Sequence, residues 1–119
     1  MKRVYLICPV RNVSPEDVVK LDEYVRKLEE DGDCKVHYPP RDCDQSVSGI
    51  EICNTHLEAM HKCDEVHVLW DPNSKGSHFD FGMAFALELP IVLVNPPEQM
   101  SHKSYADVLL AVAQKAQSK

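Results

Sequence analysis

The feature that most constrains this chain is an alternation of two kinds of segment. Four short apolar runs, residues 4–8, 34–38, 66–70 and 91–94, are separated by stretches whose apolar residues recur at three- and four-residue steps. Short runs rich in Val, Ile and aromatics predict strands, and the intervening period predicts helices. Residues 4–8 and 91–94 are nearly continuous in apolar character, as parallel strands covered on both faces must be, while Lys35 and His37 alternate like an edge strand. Val18, Leu21, Val25 and Leu28 form the first helical stripe, opened by Ser14, Pro15 and Glu16 and closed by Gly32. Ile50, Cys53, Leu57 and Met60 form the second, and residues 81–89 the third. Tyr105, Val108, Leu109 and Val112, behind Ser101, form the fourth, and the polar tail after Ala113 is expected to fray.

The order βαβαβαβα, joined by right-handed crossovers, predicts an α/β fold: one flavodoxin-like or Rossmann-like domain over residues 1–119. Its open parallel sheet should run in the order 2-1-3-4, with helices on both faces. An apolar fraction of 44% over 119 residues suffices for one core and leaves no room for a second domain. In such a sheet the chain leaves strands one and three in opposite directions, so the loops after them part and leave a crevice for a ligand. Those loops are residues 8–15 (CPVRNVSP) and 71–78 (DPNSKGSH). They make Cys8, Pro9, Arg11, Ser74, Gly76 and Ser77 candidate binding residues.

Charge and cysteine content narrow the partners. A formal charge of −6, with both signs mixed along the chain, argues against wrapping nucleic acid or an anionic membrane, so an anionic ligand must be met locally. No run approaches the ~20 apolar residues of a membrane span. Pro9, Arg11 and Asn12 interrupt the first apolar run before a signal-peptide core can form. Five cysteines without CxxC spacing fit reduced thiols in a cytoplasmic protein better than a disulfide framework or a zinc site.

Residues 71–87 carry the most chemistry. A loop of small polar residues runs into a helix, whose free N–H groups suit an anion or a polar sugar edge. Gly76 allows close approach to a ligand and Gly82 close packing of the helix. Asp80 has two readings from pattern: the last place of a capping box opened by Ser77, or a functional carboxylate. Tyr5 is either a buried strand residue or a group of the site. Arg11 is a solvated loop residue or a planar fork for phosphate oxygens. His78 is a solvated loop residue or, where the loop turns toward the same crevice, a second proton-donor candidate. Trp70 and Phe79 flank the crevice and either stack on a base or belong to the core. His56, His78 and Asp80 are metal-ligand types, but no spacing supports a metal, and no cofactor is expected.

Residues 4–11 (VYLICPVR) with 74–84 (SKGSHFDFGMA) resemble the nucleoside 2-deoxyribosyltransferase family, whose last motif reads small-x-Gly-x-x-x-acid-x-Gly-x-Ala. The resemblance spans about residues 3 to 95. It implies cleavage or transfer of the N-glycosidic bond of a deoxynucleoside or, in one branch, hydrolysis of a 5′-monophosphate. It places Asp80 where the family has a nucleophilic Glu, and Tyr5 where a Tyr orients that carboxylate. Ser74 stands where the monophosphate-hydrolysing branch has Ser and the transferase branch Asp. His56 replaces an Asp that assists base departure, a role imidazole can fill as a proton donor. The implied partners are a nucleoside or nucleotide and further copies of the chain, as a dimer or tetramer. A rival expectation is a nucleotide-binding module that kept the crevice and lost turnover.

Overall fold

Strand β1 (Lys2–Ile7) lies at the centre of the molecule because its side chains are buried alternately on two faces. In the computed structural model, which describes residues 1–95 and 104–117, it pairs in parallel with β2 (Cys34–His37) on one side and β3 (Glu65–Val68) on the other. Strand β4 (Ile91–Leu93) pairs with β3, giving the sheet order β2-β1-β3-β4. This is the expected α/β topology, with β2 as an edge.

Helix α1 (Pro15–Glu29) starts where its signals lie. Ser14 caps it, its side chain accepting from Asp17 N at 3.1 Å, with Pro15 at the first helical position. Leu21 and Val25 are buried against Val4, Leu6 and Val36, forming the core on one face of the sheet. Val18 is 40% exposed, so the stripe is narrower than its period suggested. Helix α3 (Gly49–His61) buries His56 and Met60, while Ile50, counted in its apolar stripe, is 69% exposed. Helices α4 (Lys75–Ala86) and α5 (Tyr105–Gln117) join α3 on the other face, where Met60, Phe81, Ala84 and Leu109 cover Tyr5, Ile7, Val66 and Val68. Burying each such aliphatic side chain contributes ~1.5–3 kcal/mol. Helix α5 continues through the tail expected to fray, and Ser101, read as its start signal, lies outside the described residues.

The segment after β2 opens with a helical turn. Pro39 and Pro40 preset φ for the short helix α2 (Pro39–Asp42). Asp42 accepts from Tyr38 N at 2.9 Å, and Arg41 bridges Glu29 at 2.9 Å and the Val36 carbonyl at 2.8 Å.

On the α1 face a part-buried polar chain runs from Tyr24 Oη to His67 Nδ1 at 2.6 Å, from His67 Nε2 to Glu65, and from Glu65 to the exposed Lys2 at 2.6 Å. Burial pushes the His67 pKa down despite the neighbouring carboxylate. His37 is shifted the same way, again chiefly by burial. Both rings therefore resist a proton that the unfolded chain accepts near pH 6.5. Their stabilising effect is complete above that pH and is lost as pH falls toward the folded-state values. Burial opposes ionisation of Glu65, but hydrogen bonds from Lys2 and His67 outweigh it, so this carboxylate adds its own loss only at lower pH. The unfolding free energy measured in urea is expected to fall between pH 7 and pH 5, by at most ~1.4 kcal/mol per pH unit for each ring. His67→Gln should flatten that profile; an unchanged slope would remove His67 from the account.

Candidate active site

The site is assembled from the middle of β1 and the facing sides of α3 and α4. Register and parity put Tyr5 on the helix-rich face of the sheet, fully buried. The start of α4 decides where Asp80 goes. Ser74, not Ser77, is its N-cap: Ser74 Oγ accepts from Ser77 N at 3.2 Å and donates to Ser77 Oγ at 2.9 Å. Asp80 consequently lies past the first turn, and the capping-box reading is overturned. Its side chain is turned inward, 6% exposed.

A carboxylate so placed needs hydrogen bonds to offset its desolvation. It has two. Tyr5 Oη donates to Asp80 Oδ2 at 3.1 Å, and His56 Nδ1 meets Oδ1 at 3.2 Å. The carboxylate only accepts, which assigns the proton of that second bond to His56 Nδ1 and leaves Nε2 as the ring's outward nitrogen. His56 Nε2 is buried and has no partner among the described residues. Burial, the Asp80 charge and the hydrogen bond raise the Tyr5 pKa, so the phenol stays protonated as donor. Cys8 stands nearby, pushed up to about 12 by burial first and the Asp80 charge second. Cys43 is raised by burial, with Asp44 and Asp80 adding to it. Both thiols are therefore held in the protonated form at neutral pH.

The structure brings Tyr5, His56 and Asp80 together, leaves Cys8 in the core on the α1 face, and separates the trio from His78. Residues 78 and 80 differ by two positions, about 200° around a helix, so they cannot share a face. His78 instead packs on Trp70 (4.4 Å between centroids) and Tyr105 (5.6 Å), with Nδ1 on the Ser74 carbonyl at 2.7 Å. It lines a groove of about 490 Å³ between α4 and α5 with Phe79 and Phe85, both more than half exposed. The trio His56, His78 and Asp80 does not meet. Trp70 is core, 6% exposed and edge-on to Phe81 at 6.0 Å.

Pro9 is buried beside Cys8, and Arg11 is exposed in the loop between β1 and α1, with no hydrogen-bond or ion-pair partner among the described residues. Gly76 and Gly82 face open space, where a Cβ would meet nothing within 4 Å. Gly82 therefore does not serve close packing inside this chain. His37 was not a sequence candidate, yet its ring stacks on Tyr5 at 5.1 Å and 21° and lies edge-on to His56 at 6.3 Å. The signal was present in parity, since Tyr5 and His37 are register partners.

The parallel sheet with a carboxylate, a phenol and an imidazole at its centre defines a class: small α/β domains with a polar site beside the first strand. Comparison with known proteins makes the likeness particular. No protein-family model and no curated sequence matches the chain. The structure is similar to the CMP N-glycosidase of Clostridium botulinum, with a TM-score of 0.65 and 22% identity over 94% of this chain and 83% of that one. It is also similar to the 2-deoxyribosyltransferase of Leishmania mexicana, with a TM-score of 0.63 and 18% identity over 88% and 71% of the two chains. The 2-deoxyribosyltransferase of Bacillus psychrosaccharolyticus gives a TM-score of 0.63 and 17% identity over 90% of each chain. The fold is that of the nucleoside 2-deoxyribosyltransferases. No helix among the described residues is long and apolar enough to cross a membrane.

Proposed function

We propose that this protein cleaves or transfers the N-glycosidic bond of a nucleoside or its 5′-monophosphate, with Asp80 as nucleophile. The observation that carries the reading is the buried Asp80 carboxylate held between Tyr5 Oη and His56 Nδ1. The names of the similar structures, an N-glycosidase and two deoxyribosyltransferases, support the same reaction class. An Asp80 oxygen attacks the anomeric carbon as the carbon–nitrogen bond breaks, and the bonding pair leaves with the base. His56, protonated on both nitrogens, passes the Nε2 proton to the departing base. Carboxylate and imidazolium are thereby both neutralised, leaving a glycosyl ester and a neutral ring. Water or a second base then attacks the ester, and His56 takes up the proton released. Tyr5 holds the carboxylate in line throughout.

The test is chromatography of nucleosides and their 5′-monophosphates after incubation with the protein, with and without a free base as acceptor. Free base, or an exchanged nucleoside, is expected. Intact substrates alongside a ligand-raised melting temperature would replace the enzyme by a binding module. Arg11 adds a prediction about the phosphate. Its guanidinium is unengaged among the described residues, so Arg11→Ala should raise KM for a 5′-monophosphate roughly 10- to 100-fold, the scale of one charge-assisted contact. The same variant should leave the free nucleoside nearly unaffected. Equal KM changes for both would assign Arg11 no phosphate.

A further inference from the structure

Two ring nitrogens of the histidines packed on Tyr5 have no partner among the described residues. His56 Nε2 and His37 Nε2 are both shut off from solvent and unbonded, and both rings pack against Tyr5. Buried polar atoms are nearly always paired, so each orphan calls for an explanation. The glycosidic mechanism uses His56 Nε2 and leaves His37 without a task.

His37 packs on Tyr5 and lies edge-on to His56, the two side chains that hold Asp80. Its register with Tyr5 fixes it across from that residue, and ring stacking fixes its plane. The same ring lines a groove of about 370 Å³ between β2 and α3, beside Lys35, Thr55 and Glu58. Tyr5, His37 and His56 form a corner of three rings, two nearly parallel and one edge-on, which suits a flat heterocycle better than a sugar. Burial keeps His37 neutral near pH 7. A neutral imidazole presents one donor and one acceptor, which discriminates among the polar edges of uncharged bases and adds little to phosphate binding.

We propose that His37 Nε2 hydrogen-bonds an edge atom of the nucleobase, so that His37 sets base preference while His56 serves the departing nitrogen. This rests on the glycosidic reading of the site and deepens it to a specificity-determining residue. His37→Phe keeps the stack on Tyr5 and removes the nitrogen. It should raise KM for the preferred base roughly ten-fold, the scale of one hydrogen bond, and so flatten the preference among the four 2′-deoxynucleoside 5′-monophosphates. The preference between ribose and 2′-deoxyribose with a common base should stay as it was. His37→Gln, which restores a polar edge, should recover part of the selectivity.

A binding readout separates this proposal from the reaction itself. In Asp80→Asn protein labelled with ¹⁵N-histidine, the His37 Nε2 resonance should move on titration with the preferred monophosphate and stay still with 2-deoxyribose 5-phosphate. Failure of the wild type to release any base would overturn the glycosidic reading while leaving this titration to decide the role of His37. A His37 signal unmoved by all four nucleotides, or moved equally by the sugar phosphate, would overturn the assignment to the base. So would an unchanged base preference in a folded His37→Phe protein.

Discussion

Asp80→Asn is expected to lower base release by on the order of 10⁴-fold or more, the scale seen when a covalent nucleophile is removed. The substitution keeps the shape, and the amide oxygen can still accept from Tyr5 Oη, now 3.1 Å from Oδ2. What disappears is the charge that matches the oxocarbenium-like transition state and the oxygen that bonds to the sugar. The variant loses the buried pairing with His56, which should lower the melting temperature, while Asn fills the same volume and keeps the Tyr5 bond. Rates are read by chromatography and folding by melting temperature. A folded Asn variant within ten-fold of wild type would assign the reaction to another group.

His56→Phe should show the next largest effect, a loss on the order of 10²- to 10⁴-fold, as for removal of a general acid. Phe retains ring packing near Tyr5, where the histidine lies edge-on at 5.9 Å, and removes both nitrogens. The diagnostic is the leaving group. A nucleoside whose base is already cationic, such as an N7-methylated purine, departs without a proton, so the variant should turn it over nearly as fast as wild type. Equal losses on cationic and neutral bases would mean that His56 only positions the carboxylate.

Much of the fold was legible because strong local signals agreed with one another. Ser14, Pro15 and Gly32 bracket α1, and Gly32 occupies φ 75°, a conformation glycine adopts without strain. Strand order followed from the alternation of elements and the handedness of crossovers. The start of α4 was harder, because Ser77 with Asp80 has capping-box spacing, whereas Ser74, the actual N-cap, has Ser77 three residues on in place of an acid. What selects Ser74 is the turn before it, where Asp71 accepts from Asn73 N at 2.9 Å through its side chain and from Ser74 N at 3.0 Å through its carbonyl. Until that turn is known, Asp80 reads equally well as a cap. The same one-turn displacement sends His78 to the α4–α5 groove and Asp80 to the sheet. His37 was hidden for another reason. Lys35 and His37 share one face of β2, and period alone gives both the look of a solvated edge. Helix α3 packs at the His37 end, so Lys35 is exposed while His37 is half-buried.

The central claim is that Asp80 forms a bond to the sugar and is not merely a brace for a histidine that activates water. Stereochemistry decides between them. A β-nucleoside, with its base and sugar drawn from the substrates that the chromatographic panel identifies, is incubated in buffer containing methanol, and the first-formed methyl glycoside is read by proton NMR. Two displacements through Asp80 predict retention, a methyl β-glycoside. A methyl α-glycoside would show a single inverting displacement and would contradict the covalent role of Asp80.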